Sequence, residues 1–192
     1  MVLNGCSTAK IATAVREYEG VKRKRSIGEM VRAIRIDAPN VIASFGEDAA
    51  VIEHGQDVLL LAADGIWSRL MEADPYWAGY CSVLVNIHDI AAMGGRPLHA
   101  LVGLALPGTV EAKWLDDFMA GFRSAAHQAD VALIGGDLSG AEKVMISVTV
   151  TGSVKFPVKR SGARPGDSIY VSGTLGDAAG GLRLVEKGGI SG

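Results

Sequence analysis

The stretch ADGIWSRLMEADPYWAGYCSVLVNIHDIAAMGG, which runs from Ala63 to Gly95, predicts a long apolar helix that follows the end of a strand. Asp74 and Pro75 mark the start of the helix, because an Asp side chain caps free backbone N–H groups and proline suits the first helical position. The glycine pair at the end of the stretch is typical of a helix stop. This helix is therefore expected to lie at the apolar centre of the fold.

Segments on both sides of this stretch predict strands, because their apolar residues alternate or form short runs. Two strands joined by a Gly-containing turn are expected within residues 48–65, and others within 97–107, 131–137 and 143–154, the segment 131–137 being buried. Residues 109–130 predict an amphipathic helix whose apolar line consists of Trp114, Phe118, Phe122 and Ala125.

The first forty residues predict a separate helical segment. Helices are expected over 7–20, with Ser7 or Thr8 as the cap and Gly20 as the stop, and over 27–34. The basic run from Lys22 to Arg25 predicts a solvated connector between them, with phosphate binding as the alternative.

The last residues predict the beginning of a second domain. A turn, one strand and one helix are expected after residue 160, which is too little to close a core. The predicted divisions are therefore an N-terminal helical segment at 1–40, a central domain at 41–157, and an incomplete C-terminal domain at 158–192.

The composition predicts a soluble cytoplasmic protein. Of its 192 residues 48% are hydrophobic and 21% are charged, and the formal net charge is -2, so neither nucleic acid nor an anionic membrane is an expected partner. The apolar runs are too short to span a bilayer, and no signal peptide is evident. Cys6 and Cys81 are expected to be reduced thiols.

Four aspartates lie beside apolar or glycine-rich runs at predicted strand ends or inside the long helix: Asp48, Asp64, Asp89 and Asp137. One such residue alone is usually a turn residue or a helix cap. Four together predict more, because a buried carboxylate must be paired, hydrogen-bonded or bound to a metal. Carboxylate oxygens favour magnesium completed by substrate phosphates, and no Cys/His spacing indicates zinc.

Asn86 lies three residues before Asp89, so the two share one helical face. We expect Asn86 to bind metal-bound water or phosphate, with a polar helix interface as the alternative. The glycines of GGD, including Gly136, allow close approach to phosphate oxygens. Neither a P-loop nor a GxGxxG motif is present, which leaves a magnesium-bridged phosphate held by scattered aspartates and thus phosphoryl transfer.

The motifs GEDAAVI, ADPYWAGYCSVLVNIHDIAAMGGRPLHALVGLALP, ALIGGD and RSGARPGDSIYVSGTLGDAAGGL occur in this order along the chain. Over roughly residues 41–189 they resemble the AIR synthase-related superfamily, and most closely its thiamine-monophosphate kinases. The resemblance implies an α+β domain with a four-stranded sheet and flanking helices, followed by the truncated start of an α/β domain.

The same resemblance implies ATP and Mg²⁺ as cofactors and a homodimer formed through the sheet of the central domain. Long strands whose second apolar face needs a cover also favour a homodimer. The aspartates that match magnesium ligands are Asp48, Asp64, Asp89 and Asp137. Gly136 and Asp137 would contact ATP, and Arg160 matches a nucleotide-contacting arginine.

The chain departs from the kinase motifs at the end of the predicted strand before Gly65. Ala62 and Ala63 occupy the positions of a Ser-Thr pair in the kinases, and ADGIWSRL is similar to the DGVGTKL segment of AIR synthase. Substrate choice is therefore expected at Trp67, Ser68 and Arg69. Cys6 is expected to be an inert thiol, with the N-terminal cysteine of selenophosphate synthetases as the alternative.

Three functions remain open. The first is transfer of the γ-phosphoryl group of ATP to a small metabolite, by positioning and charge stabilisation and with no side chain assigned as a covalent nucleophile. The second is an AIR synthase-like ATP-dependent ring closure. The third is a non-catalytic nucleotide-binding homodimer.

Overall fold

A computed structural model of the chain describes residues 7–34 and 38–187. In chain order its elements are α1 (Thr8–Glu17), α2 (Glu19–Ile34), β1 (Val41–Ala43), β2 (Ala50–His54), β3 (Asp57–Gly65), α3 (Ser68–Ala73), α4 (Pro75–Ala92), β4 (Arg96–Leu106), α5 (Ala112–Gln128), β5 (Ala132–Gly140), β6 (Met145–Val154) and α6 (Asp177–Glu186). The chain divides into two compact units between Pro39 and Asn40. The division at 157 stays a prediction, and Cys6 lies outside the described residues.

The first unit contains α1 and α2. Ser7 caps α1 as predicted, because its Oγ accepts a hydrogen bond from the Lys10 N–H at 3.4 Å. The predicted connector from Lys22 to Arg25 is wrong, since these residues lie inside α2. Lysine and arginine are good helix formers, so the basic run continues the helix. Gly20 does not stop α1 either, because it also belongs to α2.

The second unit is built on one sheet in the order β1-β2-β3-β6-β4-β5, with all pairs antiparallel except β4 and β5. The predicted α+β fold is confirmed. The described sheet has six strands where four were expected, because the short β1 and the outer strand β5 extend the central set of β2, β3, β6 and β4. The two strands predicted within 48–65 are β2 and β3, as expected.

Strand β5 forms at the predicted place but is not buried. Each of its nine residues is exposed, in contrast to the alternating burial of β4 and β6. The reason is its edge position: β5 pairs with β4 alone, whereas α4 packs over β3, β6 and β4. The prediction of a buried strand at 131–137 is therefore wrong, because an apolar sequence does not show which strand lies at the edge of a sheet.

The start and the stop predicted for α4 are confirmed. Asp74 Oδ1 accepts a hydrogen bond from the Trp77 N–H at 3.0 Å, and Pro75 is the first helical residue. Gly94 follows the helix with φ of 73°, a left-handed conformation that suits glycine. The predicted apolar line of α5 is also found, with three buried residues and Trp114 stacked on Phe118 at 5.5 Å between ring centroids.

Helices α4 and α5 cross at unusually short range because glycine lies at the contact on both of them. A Cβ atom at Gly79 would collide with the carbonyl oxygen of Phe118, and one at Gly121 would collide with the carbonyl oxygen of Tyr76. Backbone therefore meets backbone at this crossing. The two helices form the apolar layer that covers the sheet.

The segment after β6 is irregular up to α6, with turns and bends, and the strand predicted there does not form. Ile169 is 94% exposed and Tyr170 is 89% exposed, and no strand within the described residues pairs with them. A strand without a neighbour has no ladder of hydrogen bonds to hold it. Among the helices described here, none combines the length and the apolar character needed to cross a membrane.

We predict that Gly79→Ala lowers the free energy of unfolding by about 1–3 kcal/mol or more, because the added methyl group forces the two helix backbones apart. Gly180→Ala is the matched control: a Cβ atom added to this helical glycine of α6 would meet no neighbouring residue within 4 Å, and alanine favours a helix by about 0.5–1 kcal/mol. Urea unfolding measures both variants. Equal stability of the two would contradict the close crossing.

Candidate active site

The four predicted metal ligands lie on four different parts of the second unit. Asp48 lies in the loop before β2, Asp64 near the end of β3, Asp89 in α4, and Asp137 in the edge strand β5. The sheet register measures how far apart the two strand residues are. Asp64 pairs with Val148, and Asp137 lies three strands away from Asp64.

Asp64 and Asp137 belong to neighbouring rows of the sheet. Val148 connects Asp64 to Val102, whereas Asp137 pairs with the next residue of β4, Gly103. Successive rows face opposite sides of a sheet, and three strand spacings amount to about 14 Å. The structure therefore does not bring these two carboxylates together on one ion within a single chain.

Asp48 is brought together with Arg160, 112 residues later in the chain. The guanidinium meets both carboxylate oxygens, Nη2 at Oδ1 and Nε at Oδ2, the latter at 3.5 Å. The Arg160 backbone N–H also donates to Glu47 Oε2 at 2.8 Å. The Asp48 hydrogen bond raises the pKa of Arg160, and the negative charges of Asp48, Glu47 and Asp89 contribute in the same direction. These four residues form the charged cluster of the second unit.

Asn86 is fully buried, and its contacts differ from the predicted one with water or phosphate. Its Oδ1 accepts a hydrogen bond from the Asp64 N–H at 3.1 Å, and its Nδ2 donates to the Ser82 carbonyl at 3.1 Å. Helix α4 is thereby linked to the end of β3. The same helix carries Asp89, so Asn86 connects two of the predicted metal ligands.

A cavity of about 570 Å³ opens where β3 ends. Its wall is almost wholly apolar, and Asp64 is the only charged residue among the described residues that line it. These are Asp64, Gly65, Ile66, Trp67, Leu70, Trp77, Cys81, Val85, Ala178, Gly181, Leu182 and Val185. Helices α3, α4 and α6 contribute to it. Burial raises the pKa of the Cys81 thiol, which favours its protonated form.

The three residues predicted to choose the substrate have different surroundings. Trp67 lines this cavity, whereas Ser68 lines a second one of about 420 Å³. Arg69 lines neither: its Nη2 lies 2.5 Å from Glu186 Oε1, and its guanidinium lies 5.0 Å from the centre of the Trp67 ring. Arg69 thus connects α3 to α6 at the rim of the cavity.

The sequence interpretation missed one wall of the cavity. Trp77, Cys81 and Val85 are spaced by four residues along α4 and all line it. This spacing places side chains on one helical face and could have been found in the sequence. No sequence signal identifies Glu47 as the acceptor for Arg160, since that contact depends on the path of the chain after β6.

Residues 46–154 match the family model of the AIR synthase related protein, N-terminal domain. The chain belongs to the AIR synthase related family. It is 38% identical to a thiamine-monophosphate kinase of Aquifex aeolicus over 143 residues, which cover 73% of this chain and 47% of that relative. It is 34% identical to the thiamine-monophosphate kinase of Escherichia coli K12 over 165 residues, or 83% of this chain and 49% of the relative.

A solved structure, AaThiL complexed with AMPPCP and TMP, matches with a TM-score of 0.75 and 32% identity. The match covers 85% of this chain and 52% of that one. The chain therefore spans about half the length of the relatives it matches.

The donor atoms of this AIR synthase related chain suit magnesium. Glu47, Asp48 and Asp89 offer carboxylate oxygens, which are the ligands of a hard cation. Across 7–34 and 38–187 no group of three or more His, Cys, Asp or Glu residues is close enough to hold a metal ion. Magnesium commonly uses only one or two carboxylates, with water and substrate phosphates completing its shell. The carboxylates near Arg160 therefore fit magnesium that arrives together with phosphate.

We predict that Cys81 reacts slowly with iodoacetamide in a Cys6→Ser background. The thiolate is the nucleophile, and a raised pKa lowers its population at mildly alkaline pH. Mass spectrometry compares the native chain with the urea-unfolded chain. Equal rates would contradict the burial of Cys81.

The pH dependence of stability follows from the same pKa. Below the ordinary pKa of a thiol, both the folded and the unfolded states are protonated, and the stabilisation is fully present. As pH rises, the thiol of the unfolded chain ionises first, so the stabilisation decreases until the pH passes the raised pKa of Cys81 in the folded chain. The Cys81→Ala variant should lack this alkaline loss.

Proposed function

We propose that this chain is the nucleotide-binding part of an ATP- and Mg²⁺-dependent phosphotransferase that acts on a small metabolite, similar to the thiamine-monophosphate kinases. The observation that carries the proposal is the cluster of Arg160 with Glu47, Asp48 and Asp89. It brings one planar cation to the adjacent carboxylates of Glu47 and Asp48, and the negative charge of Asp89 acts on the same arginine. Such a set can bind a polyphosphate and its accompanying cation.

Arg160 has the geometry for phosphate as well as for carboxylate. Its fork contacts two oxygens of Asp48, and the same fork can contact two oxygens of a phosphate. When the guanidinium turns to phosphate, the Asp48 carboxylate becomes available to a cation. Of the predicted metal ligands, Asp48, Asp64 and Asp89 would hold magnesium, whose charge would offset the negative charge of the phosphates.

The remaining predicted nucleotide contacts belong to β5. Gly136 lies so close to β4 that a Cβ atom there would collide with the Val102 carbonyl oxygen. Its bare backbone keeps β5 against β4 and leaves the Asp137 carboxylate exposed on the sheet. We propose that Gly136 and Asp137 contact ATP from this edge strand, while Asn86 acts indirectly.

The acceptor is proposed to occupy the cavity of about 570 Å³, whose size suits a small-molecule ligand. Trp67 and Trp77 supply apolar surface, and Asp64 supplies the charged group. Arg69 acts from the rim through its ion pair with Glu186, whereas Ser68 lines the second cavity. Ala62 and Ala63 precede this site, so its polar groups differ from those of a Ser-Thr pair. Catalysis then rests on positioning and on charge stabilisation.

We predict that the protein, at its natural full length, binds Mg²⁺·AMPPCP in isothermal titration, and that Asp48→Asn and Arg160→Gln each weaken binding by about tenfold or more. Arg164→Gln is the matched control, because Arg164 is an exposed arginine of the same segment whose backbone N–H bonds to Asp167. Absence of binding to the wild-type protein would overturn the proposal.

Product analysis with ATP separates the kinase from the AIR synthase-like alternative, which the ADGIWSRL segment favours. A kinase leaves the phosphoryl group on the acceptor, whereas a ring-closing enzyme releases phosphate. Binding without any turnover across acceptors would instead indicate the non-catalytic homodimer.

A homodimer is proposed to form through the face of the sheet that the helices leave uncovered. Leu101 is 44% exposed and Met145 is 64% exposed on this face, where Asp137 also lies. Apolar residues on an open sheet face favour a second layer.

Light scattering should therefore give twice the monomer mass, and Met145→Lys should shift the protein towards the monomer by placing a charge in the interface. Leu184→Lys on α6 is the control, since Leu184 is an exposed apolar residue too, at 51%, but lies away from the sheet. A wild-type monomer would contradict the proposed dimer.

A further inference from the structure

We infer that Asn86 is a positioning residue that sets the place of the Asp64 carboxylate relative to Asp89. The inference rests on the proposed function, in which both aspartates serve the magnesium–phosphate site. Under that function Asn86 does not touch the nucleotide. It acts through the backbone of Asp64, to which it is hydrogen-bonded.

The carboxamide of Asn86 has one orientation only. Its oxygen lies 3.1 Å from a donor, the Asp64 N–H, and its nitrogen lies 3.1 Å from an acceptor, the Ser82 carbonyl. Exchange of the two ends would place donor against donor and acceptor against acceptor. Because the residue is fully buried, water cannot replace either partner. The link between α4 and β3 is therefore specific.

The Asn86 contact lies near the end of β3, where the sheet holds the strand from one side only. Strand β6 still pairs with β3 at Asp64 and Gly65, whereas β2 pairs with β3 only as far as Leu61. The Asn86 oxygen adds a contact from α4 to the Asp64 N–H at this point. A helix side chain thus fixes the backbone of the residue that carries the carboxylate.

Asp89 lies on the same face of α4, one turn after Asn86. Its charge acts on Arg160, the arginine that holds Asp48. The Asn86 hydrogen bond therefore connects Asp64 on the sheet to the charged cluster through one rigid helix. Partners that orient metal-binding groups in this way change metal affinity by about 10–100-fold when they are removed.

Ser82 provides a matched control on the same helix. It is also fully buried and polar, but its hydroxyl donates to the Gly79 carbonyl at 2.7 Å, within α4. Ser82→Ala removes a buried hydrogen bond without touching β3. Both Ser82→Ala and Asn86→Ala are expected to lower thermal stability, so stability alone does not separate them.

The test is Mg²⁺·AMPPCP affinity by isothermal titration of the full-length protein, together with hydrogen exchange at the Asp64 amide. We expect Asn86→Ala to weaken binding by about tenfold or more and to speed Asp64 exchange, and Ser82→Ala to change affinity less than about twofold. Equal affinity losses in the two variants would overturn the inference. Failure of the wild-type protein to bind would instead overturn the proposed function and this inference with it.

Asn86→Gln keeps the test decisive if Asn86→Ala does not fold. Glutamine carries the same donor and acceptor, but its extra methylene group moves the acceptor away from the place that meets the Asp64 N–H. We expect faster exchange at the Asp64 amide and about tenfold weaker Mg²⁺·AMPPCP binding. Faster exchange at Asp64 with wild-type affinity would overturn the inference.

Discussion

The second unit depends on the close crossing of α4 and α5, where Gly79 and Gly121 leave no room for side chains. The short distance between α4 and α5 allows the large residues Phe118 and Phe122 to be fully buried beside the crossing. It also holds α4 on the sheet, where Gly95 and Gly152 admit the side chains of Leu60 and Ile90. Every functional group that α4 carries is positioned by this packing, because a helix held by backbone contacts has little freedom to slide.

Charge at the candidate site is arranged around Arg160. This residue joins the irregular segment after β6 to the loop before β2, through the Asp48 carboxylate and the Glu47 side chain. An exposed ion pair of this kind contributes little to stability, since water screens it. Under the proposed function its role is chemical. Arg160 would contact the Asp48 carboxylate until a phosphate replaces it as the partner of the guanidinium, and Asp48 would then be available to a metal. Nucleotide and cation would then bind as a coupled pair.

Much of the fold followed from local sequence signals. The Asp74–Pro75 start of α4, the apolar line of α5 and the central strands were predicted because each depends on residues close in the chain. The basic run of α2 and the exposed edge strand β5 were predicted wrongly, because helix continuation and edge position are decided by context.

The candidate site was harder to predict for the same reason. Asp48 was expected to bind a metal and Arg160 to contact the nucleotide, but their mutual contact spans 112 residues and has no local sequence signal. Asn86 was expected to face the ligand because it shares a helical face with Asp89. The structure shows instead that its oxygen meets the Asp64 backbone, a distinction that helical spacing does not contain.

The separation of Asp64 from Asp137 constrains how the four aspartates can work together. Asp64 and Asp137 lie on opposite faces of the sheet and three strands apart, so a single ion cannot bind both within one chain. If all four serve the proposed reaction, they must serve more than one ion or meet across two chains. The open sheet face that carries Asp137 is also the face with exposed Leu101 and Met145. Dimerisation through that face would bring Asp137 of each chain to the interface, so the proposed dimer and the proposed ATP site depend on the same surface.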